Sequence, residues 1–564
     1  MPRRLLPTDE RGAVVKDWGG RLPLALIYPN NYSVGMSSLG LQALYGIFNA
    51  AEDVACERVF LQDDFATASR LDVRSLESGA ELHEFPVLAF SFTYELDYFN
   101  FVRMLRSSGI PPLAADRSER DPLIIAGGPA VFMNPEPIAP FLDAVVIGEA
   151  EPLIAPLLDV LREARGTRRA TVLAQLAAIP GVYVPSLYAY DYHADGTLAG
   201  IQTSAARSVA RQSASTLRTF STTSVFKAPS SEFGHMHLIE IARGCHWRCT
   251  FCVATYGFLP VRQRTTEQVL ADARQGLRWN DHIGLVSATI SDHTEIDAIA
   301  LGLRELGAKI SISSMRVRPL PETLVRAVAA SGTKTLTLGM ESGSERLRRY
   351  VAKGVHDEDV APAVDLAAEC GFQRLKIYYM VGLPTETQDD LDQMVSQSQA
   401  IKQRFSAATG RRGAEVVLNV SCFVPKAQTP MQWAAQDPVP LLRDKLRYLR
   451  HQLQPKGIVV RGDSPRWASV EAVFARGDRR LAPAVLAASE TPGNAVVGAF
   501  EQALAAEQLS GDFYARRARD YSERLPWEVV SLPQEGPGAV HLEAQDRKAK
   551  RRDEHFRELV GTSR

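Results

Sequence analysis

Long apolar runs are absent from this 564-residue sequence, in which no stretch approaches the about 18 consecutive apolar residues of a membrane span. The first six residues are followed by Pro7, Asp9 and Glu10 rather than by an apolar core, so no signal peptide is expected. A dominant charge is also missing, because 64 Lys and Arg residues almost cancel 65 Asp and Glu residues. This balance creates no global field that would recruit nucleic acid or an anionic membrane. These absences predict a cytoplasmic protein with no clear nucleic-acid surface.

Cysteine is scarce, with six residues in the whole chain, and this excludes a disulfide framework. Three of the six, Cys245, Cys249 and Cys252, crowd into eight residues, too close together to connect distant elements. Cys56 and Cys370 are interpreted as small buried apolar residues. The role of Cys422 stays open, because it lies at the end of a predicted strand.

The amino-terminal region alternates short apolar runs with helical stretches, which is typical of a doubly wound parallel sheet. The predicted strands are Leu24 to Tyr28, Val87 to Phe92, Leu123 to Ala126 and Ala144 to Ile147. Each ends in loop-forming residues, and open α/β sheets bind ligands at such carboxyl-end loops. We therefore predict a Rossmann-like domain over residues 1–202, followed by a Ser- and Thr-rich connection over 203–231.

A second β/α alternation follows and predicts an open, partial β/α barrel over residues 232–430. Its predicted strands are His237 to Ala242, Ile283 to Ala288, Ile310 to Ser314, Thr335 to Met340, Leu375 to Val381 and Glu415 to Val420. Residues 431–564 read as a mostly helical carboxyl-terminal region. Within it, Asp546 to Arg552 is a basic helix or a frayed end, interpreted as a solvated surface. The predicted fold class is α/β.

The strongest chemical signal is Arg243-Gly-Cys245-His-Trp-Arg-Cys249-Thr-Phe251-Cys252, a C-x3-C-x2-C set directly after a predicted strand. Three thiolates on one loop can bind three irons of a cubane cluster and leave the fourth without a protein ligand. Zinc would require a fourth ligand, which His246 inside the loop is poorly placed to supply. An electron-carrier cluster normally has four cysteines. The set therefore favours a 4Fe-4S cluster with one open iron.

This set resembles the signature of the radical S-adenosylmethionine (SAM) superfamily, and the resemblance covers roughly residues 235 to 430. It extends to Gly339-Met340-Glu341-Ser342-Gly343-Ser344-Glu345-Arg346 and to Tyr379-Met380-Val381-Gly382-Leu383-Pro384-Thr385-Glu386-Thr387. Both stretches are similar to those of the subgroup that includes methylthiotransferases and coproporphyrinogen dehydrogenase. The resemblance implies an enzyme whose cofactors are a 4Fe-4S cluster held by Cys245, Cys249 and Cys252 and SAM, which is cleaved reductively to a 5'-deoxyadenosyl radical. It also implies a low-potential electron donor of the flavodoxin or ferredoxin type.

The same resemblance, together with positions at or near predicted strand ends, suggests which side chains contact SAM. Phe251 is expected beside the adenine, Arg316 at the methionine carboxylate, and Glu341 or Ser314 at the ribose. Ser291 and Lys376 complete the expected contacts. The Gly-Gly-Glu stretch of many relatives is replaced here by Ser287-Ala-Thr-Ile-Ser291-Asp292-His293, so that Asp292 is the candidate for the amino group.

The amino-terminal sheet resembles the cobalamin-binding-type domain that precedes many radical SAM domains. The similar residues are Ala126-Gly127-Gly128-Pro129, Asn134-Pro135-Glu136 and Gly148-Glu149-Ala-Glu151. This resemblance keeps a cobalamin-dependent methyltransferase as an alternative. A non-catalytic iron-sulfur protein is kept as a further alternative. A histidine ligand to cobalt is not expected, because the chain has no histidine before His83. Cobalamin is possible, but a sheet that binds no corrinoid is favoured, and the sequence does not identify the substrate.

Overall fold

The computed structural model describes residues 5–68, 71–410, 414–532 and 541–561. Residues 1–4 of the predicted amino-terminal domain and residues 533–540 and 562–564 of the predicted helical region lie outside the described residues. Among the described helices, none combines the length and the apolar character that a membrane crossing needs. The predicted domain boundaries stay predictions.

The amino-terminal sheet has six strands in the order β2-β1-β3-β4-β5-β6. The strands are β1 (Leu22–Asn31), β2 (Val54–Leu61), β3 (Val87–Ser91), β4 (Leu123–Gly127), β5 (Ala144–Val146) and β6 (Val182–Tyr183). The helices are α1 (Tyr32–Gly35), α2 (Leu39–Ala50), α3 (Tyr98–Ser107), α4 (Pro129–Met133), α5 (Ile154–Glu163) and α6 (Arg169–Ala177). Neighbouring strands are parallel except β5 and β6. The predicted doubly wound sheet is confirmed, with an antiparallel edge strand added.

Strand β2 was not predicted, although every one of its residues is buried. Its interior contains Glu57 and Arg58, which break the apolar pattern. The Arg58 guanidinium is neutralised by two carboxylates, with distances of 2.7 Å from Nη2 to Glu10 Oε1 and from Nε to Glu77 Oε1. Because these partners come from distant parts of the chain, the strand pattern alone does not reveal that the charge is satisfied.

A hairpin and a short strand lead from the first sheet to the second set of strands. The elements are β7 (Tyr188–Tyr192), β8 (Leu198–Thr203) and β9 (Val209–Ala210). Strands β7 and β8 pair antiparallel, whereas β9 pairs in parallel with Val530–Ser531 near the other end of the chain. The predicted connection at 203–231 therefore contains a strand that is fixed to the carboxyl-terminal region.

The second set of strands forms two parallel sheets, ordered β10-β13-β14 and β15-β16-β17-β18-β19, and an antiparallel pair β11-β12. The strands are β10 (Met236–Glu240), β11 (Ala242–Arg243), β12 (Arg262–Gln263), β13 (His282–Val286), β14 (Lys309–Ile312), β15 (Met315–Arg316), β16 (Thr335–Glu341), β17 (Arg374–Val381), β18 (Glu415–Cys422) and β19 (Ile458–Gly462). No strand pairing within the described residues closes these sheets into a barrel, which agrees with the predicted open barrel. Strand β19 lies beyond residue 430, where the sequence predicted the barrel to end.

The helices of this second region are α7 (Val253–Tyr256), α8 (Thr266–Gly276), α9 (Ile296–Glu305), α10 (Glu322–Ala330), α11 (Glu345–Tyr350), α12 (Asp357–Glu369) and α13 (Gln388–Thr409). All except α7 and α11 share an apolar core with the strands. In β17, Leu375, Ile377, Tyr379 and Val381 are buried, whereas the alternate residues are only half-buried. This two-residue period leaves the other face of the strand lining the open interior.

The carboxyl-terminal region is mostly helical, as predicted. Its elements are α14 (Val439–Leu453), α15 (Pro465–Arg476), α16 (Ala482–Ala488), α17 (Val496–Ala506), α18 (Gly511–Ala515), β20 (Val530–Ser531) and α19 (Leu542–Gly561). Helices α15 and α17 pack against α3, where the Phe99 ring lies 5.3 Å from the rings of both Phe474 and Phe500. These helices therefore share a core with the amino-terminal sheet.

Candidate active site

The three clustered cysteines lie on the loop between β11 and α7. None forms a disulfide; Cys245 and Cys249 are buried and Cys252 is half-buried. Gly244 starts the loop with φ +85°, and a Cβ atom there would meet the carbonyl oxygen of Phe258 at 2.6 Å. Only glycine tolerates both this backbone conformation and this close approach. The loop thus turns sharply, and its cysteines are close enough for the charge of one to act on the next.

Burial raises the pKa of all three thiols. At Cys245 the backbone amide of Trp247 and the Thr255 hydroxyl oppose this effect. At Cys249 the Lys353 ammonium opposes it. A buried thiol becomes a thiolate when a metal ion or a nearby cation stabilises the negative charge. The loop therefore combines a dry setting with cations that favour anionic sulfur.

Arg316 brings the end of β15 against the cysteine loop. Its guanidinium stacks on the Trp247 ring at 3.9 Å, and Nη1 lies 4.0 Å from Cys249 Sγ. Trp247 Nε1 in turn donates a hydrogen bond of 2.7 Å to Asp292 Oδ2 in the turn after β13. The cysteine loop, β15 and the β13 turn therefore meet at one edge of the strands.

Glu341 ends β16 in the left-handed region, with φ 68°, after a shift in register between β16 and β17. Its Oε1 lies 2.7 Å from Lys353 Nζ, and the Lys353 ammonium also faces Cys249. Arg248 and Ala352 nearby have positive φ as well, so three of the six such non-glycine residues in the described chain surround the cysteines. Backbone conformations of this kind are energetically costly and are typical of functional sites.

Lys353 is the residue that the sequence reasoning missed. It lies twelve positions after Glu341, beyond α11, so neither strand-end position nor motif spacing points to it. The chain reverses after α11, and this reversal brings Lys353 back to Glu341. The sequence shows that a lysine follows a recognised motif, but it does not show that this lysine is buried, and the burial is what distinguishes it.

The other residues predicted to contact SAM divide into those that lie near the cysteines and one, Lys376, that does not. Ser291 lies in the turn after β13, and its buried hydroxyl has no hydrogen-bond partner in the described structure. Ser314 lies between β14 and β15, two residues before Arg316, and Phe251 packs beside Leu347 and Met431. These residues lie in the same region as the cysteines.

Lys376 lies away from this group. It is the third residue of β17 and pairs in register with Thr337, whereas Glu341 pairs with Tyr379 three residues later. Three residues of strand correspond to about 10 Å. Lys376 faces the interior but near the amino end of its strand, where its ammonium lies 5.3 Å from the Tyr378 ring. The expectation that Lys376 lies at a carboxyl end is therefore wrong, since both the predicted and the observed strand extend beyond it to Val381.

A cavity of about 410 Å³ lies where β3, β4 and β5 end, next to the cysteine loop. Its walls are mainly apolar and come from the sheet, α2 and α5, while Thr222, Glu240 and Arg243 close one side. Gly128 lines it with φ +103°, and a Cβ atom there would lie 2.3 Å from the Phe92 carbonyl oxygen. The cavity thus occupies the edge at which open α/β sheets bind ligands.

Buried ion pairs join this cavity to the cysteine loop. Glu149, in the loop after β5, lies 2.9 Å from Arg243 Nη1 and 2.6 Å from Arg262 Nη2. Arg243 also contacts Glu151 and Glu240, each at 2.8 Å, and it directly precedes Gly244. Although burial opposes it, the hydrogen bond from Arg262 and the charge of Arg243 hold the pKa of Glu149 below its usual range. The first sheet is therefore attached to the start of the cysteine loop.

We expect Glu149→Gln to lower the free energy of unfolding by about 3 to 5 kcal/mol at pH 7, since it leaves the buried Arg262 guanidinium without its carboxylate and removes one of the three carboxylates around Arg243. Because the pKa of Glu149 is lowered on folding, its contribution is present above the ordinary glutamate value of about 4.3 and is lost as the pH falls through the folded value. The difference in the free energy of unfolding between the wild type and Glu149→Gln should therefore shrink as the pH falls. Urea titrations at several pH values measure it.

The matched control for this variant is Glu163→Gln, which removes the same charge from an exposed position at the end of α5. It should change the free energy of unfolding by no more than about 0.5 kcal/mol. Equal stability of the Glu149 variant and the wild type at pH 7 would show that the ion pairs do not hold the two regions together.

Two family models match the chain, "Radical SAM proteins, N-terminal" over residues 40–185 and "Radical SAM superfamily" over residues 239–397. The chain belongs to the radical SAM superfamily. It is thus an enzyme whose cofactors are a 4Fe-4S cluster and SAM, which it cleaves reductively. The resemblance to the radical SAM superfamily seen in the sequence is confirmed.

Individual relatives of this radical SAM protein are distant. An uncharacterized protein of Methanocaldococcus jannaschii is 26% identical over 462 residues, which are 81% of this chain and 89% of the relative. An uncharacterized methyltransferase of Pyrococcus horikoshii is 25% identical over 48% of this chain and 56% of its own length. The solved structure of the radical SAM methyltransferase TsrM from Kitasatospora setae, with cobalamin and a [4Fe-4S] cluster bound, matches 86% of this chain and 100% of its own. Its TM-score is 0.49 and its identity 14%.

The cysteine loop of the radical SAM enzyme fits a 4Fe-4S cluster in its donor set and charge. Its three thiols are free, and the cations of Arg316 and Lys353 lie around Cys249. Within the described residues, no three His, Cys, Asp or Glu side chains are arranged to hold a single metal ion. In a cubane each thiolate binds its own iron, so the sulfurs lie further apart than in a mononuclear site.

Proposed function

We propose that Cys245, Cys249 and Cys252 hold the cluster of this radical SAM enzyme and that SAM binds between their loop and the ends of β13, β15 and β16. The observation that carries the proposal is the position of Arg316, which stacks on Trp247 and lies 4.0 Å from Cys249 Sγ. When bound, the cluster supplies the electron that breaks a carbon-sulfur bond of SAM. The donor of that electron is proposed to be a flavodoxin or ferredoxin.

Each proposed SAM contact follows from the chemistry of the side chain. The Arg316 guanidinium presents planar paired donors, which match the methionine carboxylate. The unpartnered Ser291 hydroxyl and the Asp292 carboxylate suit the amino group. Glu341 and Ser314 suit the ribose hydroxyls, and Phe251 offers an aromatic surface for adenine. Lys376 is left out of this set because of its position in β17.

One side of the proposed site is formed by apolar side chains, which keep water away. A primary carbon radical requires such dry surroundings. Phe251 and Met380 border a group of fully buried side chains that includes Leu347, Leu383 and Phe423. Closed apolar surroundings prevent side reactions of reactive intermediates. Binding of SAM to the protein, measured by calorimetry under anaerobic conditions, tests the proposal. The proposal requires that one SAM molecule binds to each chain.

A cobalamin-dependent methyltransferase is the second candidate function, and the apolar cavity beside the cysteine loop favours it. The cavity lies at the ligand-binding edge of the first sheet and has Arg243 and Glu240 on the side facing the cysteines. A corrinoid held there would lie next to the SAM site. This candidate therefore depends on whether the cavity binds a corrinoid.

We expect the purified protein to retain little corrinoid after incubation with hydroxocobalamin and desalting. None of the described residues that line the cavity is a histidine. In the loop after β1, Asn30 donates to Asp97 and Asn31 caps α1, so both side chains are already engaged. Absorbance of the desalted protein measures the retained corrinoid. Stoichiometric retention, above all with methyl transfer to a product, would contradict this expectation and promote the methyltransferase.

A further inference from the structure

Helix α19, near the carboxyl end of the chain, packs directly against the proposed cluster site. Gln545 Oε1 accepts a hydrogen bond of 2.6 Å from Tyr256, whose hydroxyl also lies 3.1 Å from the carbonyl oxygen of Arg248 in the cysteine loop. Asp553 forms a buried ion pair with Arg346 of α11, and Ala549 is buried between them. The inner face of the helix therefore lies one side chain away from the cysteine loop.

The outer face of α19 is exposed and carries a concentration of positive charge. Between residues 546 and 552 there are five cationic residues and one acidic residue, and that acid, Asp546, is buried and accepts from Tyr521. Lys548 and Arg551 are exposed, share one face of the helix, and have no ion-pair partner among the described residues. Here the basic face means Arg547, Lys548, Lys550 and Arg551.

The basic face is a local feature of a chain whose formal net charge is −1. Two of the four cations are paired, Arg547 with Glu543 at 2.7 Å and Lys550 with Asp546 at 2.8 Å. The two others, Lys548 and Arg551, give a nearly neutral protein an exposed positive surface near the proposed redox centre that suits a small, acidic redox partner. Interfaces of this type are small and short-lived, and complementary charge accelerates encounter and fixes orientation. A nucleic acid would also be attracted by cations, and the test below distinguishes it from a protein donor.

We propose that the basic face of α19 is the docking surface for an acidic protein that donates one electron to this enzyme. On each encounter the donor is oxidised by one electron and the enzyme is reduced by one electron, and no covalent bond forms or breaks at the surface. A donor docked on the outer face would be separated from the cysteine loop by the width of α19, about 10 Å, and by the Tyr256 side chain that Gln545 contacts. This inference rests on the proposed function, since the docking surface is where the electron consumed in SAM cleavage enters the enzyme.

The test compares the double variant Lys548→Glu/Arg551→Glu with the wild type in full-length, reconstituted protein. Binding of an acidic flavodoxin at low salt should weaken by about tenfold, as expected for reversal of two charges at the rim of an interface. The rate of 5'-deoxyadenosine formation with reduced flavodoxin should fall correspondingly, while the rate with dithionite should not change. The matched control is Arg274→Glu/Arg278→Glu, with the same charge change at exposed positions at the end of α8.

Each outcome of the test supports or overturns the proposal. Equal flavodoxin affinity for the double variant and the wild type would overturn it, and so would an equal loss in the control variant. Loss of transfer-RNA binding with unchanged flavodoxin binding would assign the basic face to nucleic acid instead. If dithionite also fails to produce 5'-deoxyadenosine in the wild type, the proposed function fails, whereas the binding measurement still reports on docking.

Discussion

Replacing Cys249 with alanine is expected to remove the iron-sulfur cluster almost completely. Anaerobically reconstituted wild-type protein should contain about four irons and four sulfides per chain. Cys249 is the buried middle one of the three proposed ligands, and its sulfur lies beside Arg316 and faces Lys353. Without it, two cysteines remain and one more iron is exposed to exchange. Iron and sulfide assays, together with the visible absorbance of the cluster, measure the loss.

The matched control is Cys370→Ala, because Cys370 is half-buried at the end of α12 and far along the chain from the loop. This variant should keep the full iron content. Cys245→Ala and Cys252→Ala should behave like the Cys249 variant. A complete cluster in Cys249→Ala would contradict the assignment of the ligands. Cys422 stays open, since it is buried at the end of β18.

Changing Arg316 to lysine is expected to weaken SAM binding by roughly 10- to 100-fold, since a hydrogen bond to a charged group contributes about 1.5–3 kcal/mol. Lysine keeps the positive charge beside Cys249 but lacks the planar paired donors that match a carboxylate. The iron content should be unchanged, because Arg316 is not a ligand. Anaerobic calorimetry with SAM gives the affinity, and an iron assay on the same sample separates ligand loss from cluster loss.

Glu341→Gln should also weaken SAM binding, since it removes the carboxylate proposed for the ribose. The matched control for the arginine variant is Arg326→Lys on α10, whose guanidinium is exposed and pairs with Glu322. The control should bind SAM like the wild type. Normal SAM affinity in both the Arg316 and Glu341 variants would show that these strand-end placements are wrong.

The sequence predicted the fold class because both sets of strands carry clear apolar patterns. All four amino-terminal strands and all six barrel strands that it predicted are present, with ends that differ by a few residues. It missed β2, whose buried Arg58 is neutralised by Glu10 and Glu77. It also missed β19, which completes the second sheet from beyond the predicted barrel. Both strands depend on partners that are remote in the chain.

The candidate site was predictable where function is concentrated in short motifs. The cysteine loop, Arg316 and Glu341 follow strands that the sequence identifies, and the structure brings them together. Lys353 and the links from Glu149 to Arg243 and Arg262 were not predicted, because they join elements that only the tertiary fold places in contact. The placement of Lys376 at a carboxyl end failed because it is near the start of both the predicted strand, Leu375 to Val381, and the observed β17.

The central claim is that this chain uses its cysteine loop to cleave SAM reductively. The most direct measurement is the formation of 5'-deoxyadenosine by the anaerobically reconstituted full-length enzyme with SAM and dithionite, followed by chromatography and mass spectrometry. The account predicts slow formation in the wild type without any added substrate, and none in Cys249→Ala. A wild-type protein that holds a complete cluster, binds SAM and yet forms no 5'-deoxyadenosine would contradict it.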